Sequence, residues 1–321
     1  MSSSSDTTLE APSPEDQALI ALVDLLREQE YQFSTVTPLT QARVNKRRGN
    51  DWAKNLAGVF GWSRRFQRGL LPDNLFALAH AANVLATEAG GYRARIRVSS
   101  LGGLLFVHSA YPTVEPDSVF FGPDTVRFVS AVNRHLNTSK RAIKRAVDIG
   151  CGAGPGAIAI ATATPGAQIL MLDINALALR YARVNAAVNR ATAVAVQSDI
   201  LADVSGRFDL IVSNPPYLID GKARSYRHGG GLLGEGLSLE IFRQSITRLS
   251  PGGTFLLYTG SAIVGGVDRF AQAVRDLLNV SQFEWSYEEI DPDVFGEELE
   301  MSPYDTADRI AAIVLTVTAE G

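Results

Sequence analysis

Residues 146–156 read Ala-Val-Asp-Ile-Gly-Cys-Gly-Ala-Gly-Pro-Gly, and this stretch decides the fold. Its first four residues predict a short buried strand, its glycines a loop, and the small residues 157–161 the helix that follows. This order lets a ligand approach the backbone N–H groups at a helix N-terminus. Glycine is needed there because a Cβ would block both the turn and the ligand. The stretch therefore predicts a nucleotide-type site at Gly150, Gly152 and Gly154.

The residues around this loop distinguish between two classes of ligand. A dinucleotide fingerprint, G-x-G-x-x-G/A, fails by one residue because Pro155 occupies its sixth position. Asp148 lies two residues before the first glycine, so the stretch reads D-x-G-x-G-x-G. A carboxylate beside the loop repels a pyrophosphate and attracts a cationic amino group. The loop therefore favours S-adenosylmethionine over NAD as the cofactor.

Two further strand ends complete the predicted cofactor site. Residues 168–172 predict a second strand that ends in Asp173 and Ile174, where a carboxylate accepts from both hydroxyls of a ribose. Residues 193–198 predict a third strand, followed by Asp199 and Ile200. Asp199 is placed to accept from the exocyclic amine of adenine, and Ile200 to pack on its ring. The alternative for Asp199 is an ordinary helix cap.

The tetrapeptide Asn214-Pro215-Pro216-Tyr217 follows a fourth apolar strand, residues 208–213. Two prolines end that strand because neither donates a ladder hydrogen bond. What remains is one carboxamide, two rigid carbonyls and one ring. This set suits a planar NH2 group, since the oxygens accept from its hydrogens and the ring stacks on its face. Taken alone, the tetrapeptide also fits an ordinary turn.

These motifs, in this order, resemble class I S-adenosylmethionine-dependent methyltransferases of the small-domain type, which include the release-factor glutamine N5-methyltransferases. The resemblance covers residues 119–318. Residues 120–125, Phe-Phe-Gly-Pro-Asp-Thr, are similar to the segment Pro-Arg-Pro-Glu-Thr that leads a helix over the cofactor in glutamine methyltransferases, which assigns Thr125 to the cofactor site. The glycine-rich residues 229–237 resemble the loop after the tetrapeptide in that family. Both segments depart from the family pattern, and these departures leave the substrate open.

The resemblance implies a role in methyl transfer for each part of the tetrapeptide. The Asn214 side chain and the Pro215 carbonyl would accept from the two N–H groups of a planar nitrogen, so that its lone pair points at the methyl group. Asn214 is also assigned to the cofactor site. Tyr217 would stack on the planar group. We therefore predict an N-methyltransferase with a protein glutamine side chain as the first candidate acceptor. A nucleic-acid amine, adenine N6 or guanine N2 of ribosomal or transfer RNA, and a small metabolite are the alternatives.

The alternation of strands and helices after residue 116 predicts the fold class. We expect an α/β fold with a doubly wound, mostly parallel, seven-stranded class I methyltransferase sheet. Strands near 283–290 and 310–318 follow each other directly, which predicts an antiparallel pair at the sheet edge. Residues 1–12 are expected to be a disordered tail. Residues 13–115 form a mainly helical region ending in a β-hairpin, for substrate recognition or as a lid, and residues 116–321 form the S-adenosylmethionine-binding domain.

The composition limits the setting in which the protein works. The formal net charge is −4 over 321 residues, and Cys151 is the single cysteine. No internal disulfide can form, so a reducing cytoplasm is the expected location. The N-terminus lacks the features of a secretory signal, and no apolar run approaches the length of a membrane span. The histidines lack metal-ligand spacing, so no metal site is predicted, and the sequence leaves the oligomeric state open.

Charge is concentrated in two segments of opposite sign. The basic segment, residues 43–68, carries eight Lys and Arg residues against Asp51 alone, interleaved with Trp52, Phe60, Trp62 and Phe66. Basic residues with aromatics are typical of a surface for RNA. The acidic segment, residues 284–308, has ten Asp and Glu residues and no Lys or Arg. The two segments therefore predict either an RNA surface, a solvated face, or docking of one segment on the other.

The loop after the tetrapeptide carries candidates for binding the substrate. Tyr226, Arg227 and His228 precede a run of glycines. Glycines make such a loop mobile, so that it can close over a bound molecule. We predict that these three side chains bind substrate; the alternative is a surface loop with incidental polar residues.

Overall fold

The computed structural model describes residues 11–88, 90–221, 224, 226–278 and 283–321. The tail predicted at residues 1–12 thus falls almost entirely outside the described residues. The N-terminal part contains four α-helices: α1 (Pro14–Glu28), α2 (Pro38–Asn45), α3 (Leu56–Phe60) and α4 (Asp73–Ala81). Helix α1 begins as its sequence predicts, because the Ser13 side chain accepts from the Asp16 N–H and Pro14 takes the first position.

Two β-hairpins follow: β1 (Leu85–Glu88) with β2 (Gly91–Ala94), and β3 (Ile96–Leu101) with β4 (Leu104–Ser109). The second is the predicted hairpin, and its turn residues Gly102 and Gly103 have φ of +60° and +83°. The first is a correction, because the sequence predicts short helices up to residue 89 and no strand at residues 85–88. Phe66 and Tyr92 exchange two backbone hydrogen bonds of 2.8 and 2.9 Å. This long-range pairing, which no local pattern reveals, holds the first hairpin extended.

The rest of the chain alternates strand and helix in the following order: α5 (Pro123–Thr138), β5 (Arg145–Ile149), α6 (Pro155–Ala163), β6 (Gln168–Asp173), α7 (Ala176–Val188), β7 (Val194–Gln197), β8 (Phe208–Ser213), α8 (Gly236–Thr247), β9 (Leu249–Val264), β10 (Val267–Asp268), α9 (Arg269–Leu278), β11 (Phe283–Asp291) and β12 (Arg309–Ala319). The sheet has the order β11-β12-β9-β8-β5-β6-β7, with the two-residue β10 added on β9. Strands β5 to β9 are parallel, and β12 is antiparallel to both β9 and β11. The predicted seven-stranded, mostly parallel sheet with an antiparallel edge pair is confirmed.

The central strands are apolar on both faces because helices cover both sides of the sheet. Ala146 and Val212 pack into one hydrophobic cluster, whereas their neighbours Val147 and Ile211 pack into the cluster on the other face. Strand β5 pairs with β6 on one side and with β8 on the other. The carboxyl ends of these strands therefore meet where the strand order reverses, which is where open α/β sheets bind ligands. Within the described residues, none of the helices is long and apolar enough to cross a membrane.

The N-terminal part is tied to the sheet domain by asparagines of α7. The buried Asn185 carboxamide accepts from the Val107 N–H at 2.7 Å and donates to the Val107 carbonyl at 2.9 Å. It also donates to the Ala153 carbonyl in the glycine loop at 2.9 Å. Asn189 pairs in the same way with Leu105, one turn along the helix. Both parts of the chain contribute to one hydrophobic core, and the division at residues 115 and 116 stays a prediction.

Candidate active site

A cavity of about 410 Å³ lies at the carboxyl ends of β5, β6, β7 and β8. This volume is typical of a small-molecule site. Nearly all the residues predicted for the cofactor and for catalysis line it: Thr125, Asp148, Gly150, Gly152, Asp173, Ile174, Asp199, Ile200, Asn214, Pro215 and Tyr217. Tyr226 and Arg227 from the glycine-rich loop also line it, whereas Gly154 and His228 do not.

The glycine loop between β5 and α6 is shaped by left-handed backbone. Gly150, Gly152 and Gly154 have φ of +65°, +54° and +81°, a region that other residues enter only at a cost. A Cβ at Gly150 would meet open space, so the loop leaves room for a ligand there. Gly154 faces the protein instead, where a Cβ would lie 3.1 Å from the Met171 sulfur. Its predicted contact with the cofactor is not seen in the cavity lining, because the turn points this residue at the core.

Asp148 is a buried carboxylate, and one of its two oxygens accepts a hydrogen bond from the protein. Its Oδ2 accepts from the Ala157 N–H at 2.9 Å, which fixes the side chain on the first turn of α6. Its Oδ1 is buried and has no hydrogen-bond partner within the described residues. Burial raises the pKa of Asp148 to about 7, and the nearby Asp173 adds to the rise. An unpartnered carboxylate oxygen in the wall of a cavity suits a cationic ligand group.

Asp173 is oriented by backbone groups at the end of β6. Its Oδ2 accepts from the Gly152 N–H, and its Oδ1 from the Asn175 N–H, both at 2.9 Å. Each oxygen keeps a lone pair for a further donor, as a ribose hydroxyl would require. Burial raises the pKa of this carboxyl, and the backbone hydrogen bonds oppose the rise. The ribose contact itself stays a prediction.

The neighbouring strand end places apolar surface where an adenine would lie. Ile174 is 58 % exposed although it lines the cavity, so a planar ligand would cover it. Ile200 is buried and has φ of +52°, an unusual conformation for a β-branched residue. Backbone strain of this kind is found most often at binding sites. Asp199 is exposed at the rim of the same cavity, and its contact with the adenine amine stays a prediction.

The tetrapeptide is held beside the glycine loop by its preceding residue. The Ser213 hydroxyl donates to the Ile149 carbonyl at 2.8 Å, which joins the ends of β8 and β5. Asn214 is half-buried, and within the described residues its carboxamide makes no hydrogen bond to the protein. Pro215 is buried against the cavity. The oxygens needed to hold an NH2 group are therefore placed together and unoccupied by protein donors.

Tyr217, which is predicted to stack on the acceptor, is a buried residue. Its side chain is buried, with Tyr258 and Phe295 at ring-centroid distances of 6.4 and 5.9 Å, both edge-on. Burial raises the pKa of its phenol, and the negative charge of Asp124 adds to this effect. The ring reaches the cavity wall from this core position. Its stacking on the acceptor stays a prediction.

We expect Gly260→Ala to displace Tyr217 and to lower the free energy of unfolding by about 1–3 kcal/mol, as overpacking does. A Cβ at Gly260 would overlap the Tyr217 ring. Urea unfolding measures the change, and methyl transfer is expected to fall with it. Gly69→Ala is the matched control, since nothing lies within 4 Å of its added Cβ. A Gly260→Ala protein as stable as this control would show that Tyr217 is not held as described.

The predicted substrate loop divides into two groups. Arg227 pairs with Glu298 and lies in the cavity wall together with Tyr226. His228 does not line the cavity; its Nδ1 accepts from the Asp220 N–H at 3.2 Å, and its backbone bridges to Leu218. His228 is thus held by local structure, and its predicted contact with substrate is not supported.

Sequence reasoning missed Phe120, Asp124 and Arg224, which also line the cavity. Asp124 is buried and accepts from the Tyr258 hydroxyl at 2.6 Å, next to Tyr217. Burial raises the pKa of this carboxyl, and the hydrogen bond from Tyr258 opposes the rise. Phe120 and Asp124 lie in residues 120–125, the segment whose family resemblance assigns Thr125 to the cofactor site. That resemblance could have identified both residues as well. Thr125 accepts from the Gly122 N–H and caps α5 beside the cavity.

The basic and acidic segments are not docked on each other. Within the described residues, the ion pairs of the acidic segment run to four arginines outside the basic one: Arg127, Arg134, Arg227 and Arg309. The docking alternative is therefore wrong: four of the ten carboxylates pair with these arginines, and none of the ion pairs within the described residues joins the acidic segment to the basic one. Phe60 and Phe66 are buried in the core, and Arg65 and Arg64 lie over Trp52 and Trp62.

The outer part of the basic segment is exposed and lacks acidic partners. In the described part of the chain, none of the following cations forms an ion pair: Arg43, Lys46, Arg47, Arg48 and Lys54. This surface is continuous with the cavity through α2. Pro38, the first residue of α2, lines the cavity, and Lys46 follows its last turn. Arg43 lies on α2 five residues after Pro38, so at 1.5 Å per residue the cations begin about 8 Å along the helix from the cavity.

Comparison with known proteins places these features in a family context. Residues 128–263 match the family model of the methyltransferase small domain. A ribosomal RNA small subunit methyltransferase C of Haemophilus influenzae is 37 % identical over 127 residues, covering 39 % of this chain and 36 % of that protein. A release factor glutamine methyltransferase of Lactococcus lactis is 29 % identical over 187 residues, covering 55 % of this chain and 65 % of that protein.

The relatives are matched over part of their length. The chain spans about a third of the ribosomal RNA methyltransferases that it matches, and just under two thirds of the glutamine methyltransferase. A solved structure of the T. thermophilus 16S rRNA N2 G1207 methyltransferase, in complex with AdoMet and guanosine, superimposes with a TM-score of 0.46 at 16 % identity. The superposition covers 80 % of this chain and 64 % of the T. thermophilus chain.

Proposed function

We propose that this chain is an N-methyltransferase whose acceptor is the exocyclic amine of an RNA base. The match of residues 128–263 to the family model of the methyltransferase small domain supports the reaction class. The family match supports the predicted resemblance, and with it S-adenosylmethionine as the cofactor of this domain. One observation carries the reaction type: the free Asn214 carboxamide and the glycine loop face the same cavity.

The residues of the cavity fit this cofactor at three places. The unpartnered Oδ1 of Asp148 would take the ammonium of its methionine part, and Asp173 would accept from the ribose hydroxyls. Ile174 and Ile200 would cover the adenine. When bound, the cofactor would supply an electrophilic methyl group on a sulfonium; the acceptor nitrogen would take that methyl group, release the thioether and lose one proton to water.

The chain's contribution to transfer is mainly positioning. Asn214 and the Pro215 carbonyl hold the two N–H bonds of the acceptor, which directs the nitrogen lone pair toward the methyl group. The side chain of Tyr217 is fixed by the core and limits where the acceptor lies. No dedicated base is needed, because the N–H becomes acidic as the nitrogen gains positive charge.

The exposed cations of the basic segment favour RNA as the molecule that bears this amine. These cations form no ion pair within the described part of the chain, so the phosphates of RNA can neutralise them. They lie about one short helix from the cavity, so RNA bound there can present a base to Asn214. The similarity to ribosomal RNA methyltransferases supports the same class of acceptor.

A protein glutamine is the second candidate acceptor. The similarity to the glutamine methyltransferase extends over a longer part of this chain than the similarity to the ribosomal RNA relatives. A glutamine amide is also a planar NH2 group and would make the same hydrogen bonds to Asn214. The two acceptors therefore differ in what surrounds the amine, and only direct labelling separates them.

The test is incubation of the protein with methyl-labelled cofactor and fractionated cell extract. We expect ribonuclease-sensitive label in RNA that yields an N-methylated base. Protease-sensitive label that yields N5-methylglutamine would replace the RNA assignment with the second candidate. Label in neither fraction, at concentrations where the cofactor binds, would refute both macromolecular acceptors.

We expect the double substitution Arg47→Glu/Arg48→Glu to weaken RNA binding and to reduce its dependence on salt. Losing two phosphate contacts should lower the slope of log affinity against log salt by about 2. Filter binding of labelled RNA between 50 and 200 mM salt measures the slope. The affinity that phosphate contacts provide falls steeply over this range. Arg269→Glu/Arg275→Glu on α9 is the control, with the same charge change on exposed residues away from the cavity. Equal slopes for both double variants would contradict the RNA surface.

A further inference from the structure

Two aromatic rings in the wall of the cavity lie parallel to each other. Phe120, just before α5, and Tyr226, from the glycine-rich loop, both line it. Their planes are parallel within 6°, and their centroids are 6.4 Å apart. They come from segments more than 100 positions apart in the chain, so their alignment is set by the tertiary fold.

Each ring is held in place by its surroundings. The Tyr226 hydroxyl donates to the Thr113 carbonyl at 2.7 Å and accepts from Arg224 at 2.9 Å. Arg224 is itself paired with the Asp220 carboxylate. Phe120 lies on the backbone of Gly122, where an added Cβ would come within 2.5 Å of the ring. Two rings fixed in this way lose little conformational entropy when a ligand binds to them.

We propose that Phe120 and Tyr226 are the stacking pair that receives the acceptor base. Stacked bases lie about 3.4 Å apart, so a base between two rings needs centroids about 7 Å apart, slightly more than the 6.4 Å observed. A small outward movement of the loop ring would admit it. Stacking of this kind is tolerant of base identity, because every base has a π-face.

The pair favours a nucleobase over a glutamine side chain. A glutamine amide covers only a fraction of one ring, whereas a purine or pyrimidine covers the faces of both. In this arrangement the rings hold the base plane, and Asn214 with Pro215 holds the exocyclic amine. The inference rests on the proposed RNA acceptor.

Two variants test the pair with little risk to folding. Phe120→Leu and Tyr226→Leu remove a ring and keep an apolar side chain of similar reach. The binding probe is 2-aminopurine riboside, whose fluorescence is quenched when it stacks on an aromatic ring. We expect each variant to lose the quenching and to raise the KM for RNA by about tenfold to a hundredfold. S-adenosylmethionine affinity, measured by calorimetry, is expected to stay unchanged.

The controls separate stacking from a general loss of structure. Phe120→Tyr keeps a ring and should bind the probe more tightly than Phe120→Leu. Val126→Ala, on the exposed side of α5, should leave quenching and KM as in the original protein. If the original protein methylates RNA and Phe120→Leu keeps its KM and quenching, the stacking pair is refuted while the proposed function stands. If the original protein labels no RNA, the proposed function fails, and the acceptor-base assignment fails with it.

Discussion

Asn214→Ala is expected to lower the rate of methyl transfer by about a hundredfold to a thousandfold, the loss typical of removing one preorganised hydrogen-bonding group from a reacting centre. The carboxamide is placed beside the glycine loop and makes no hydrogen bond to the described protein. Its substitution therefore costs little stability and removes one acceptor for the NH2 group. The cofactor is expected to bind as before, because its proposed contacts lie on β5, β6 and β7.

Single-turnover labelling and calorimetry separate these two effects. Asn214→Asp keeps an oxygen acceptor and should retain more activity than Asn214→Ala. Asn133→Ala, exposed on α5, is the matched control for loss of a carboxamide. Unchanged turnover in Asn214→Ala would refute the role of this side chain in holding the acceptor. A parallel loss of cofactor affinity would instead assign Asn214 to the cofactor.

The affinity for S-adenosylmethionine is expected to rise about tenfold between pH 5.5 and 7. Burial raises the pKa of Asp148 to about 7 in the free protein, and the cationic amino group binds best to the ionised carboxylate. Below that pH the carboxyl is protonated, so binding must first remove the proton. The ammonium stays charged over this range, since α-amino groups titrate at about 7.7 or higher. Calorimetry at several pH values measures the effect.

Asp148 also makes a predictable contribution to stability. Its pKa is raised in the folded protein, so between about pH 4 and 7 the native state holds a proton that the unfolded chain has lost. Its contribution is therefore full below pH 4 and is lost as the pH rises to about 7. Asp148→Asn should remove this slope from urea unfolding of the free protein and flatten the pH dependence of binding. Asp203→Asn, an exposed site, is the control; identical profiles for the two variants would contradict the role of Asp148.

The sheet and most of the cofactor site are predictable from sequence for one physical reason. Strands buried on both faces are continuous apolar runs, and in a parallel sheet the residues that follow them meet at one edge. Residues 146–149, 168–172 and 208–213 are such runs, so Asp148, Asp173 and Asn214 are assigned to one site without knowledge of the fold. Because each of these residues lies at or next to the carboxyl end of a parallel strand, their positions in the sequence are enough to predict that they lie close together in space.

The remaining features depend on contacts between distant segments. Gly154 looks the same as Gly150 in the motif, yet the turn points it at Met171. Phe120 has no polar group and resembles any core residue until the fold sets it opposite Tyr226. His228 has the composition of a substrate residue, but a local hydrogen bond with Asp220 occupies it. The hairpin at residues 85–94 depends on pairing with Phe66 across the chain.

The Asn185 carboxamide joins three parts of the protein, because it bonds to β4 and to the glycine loop from its place on α7. Removing the N-terminal part would take away the hydrogen bonds that this buried amide and the one at Asn189 make to β4. The loop that we propose to hold the cofactor is thus braced by the part of the chain that we assign to substrate recognition. Transplanting the sheet domain onto another recognition module would therefore require both asparagines to be redesigned together with the loop.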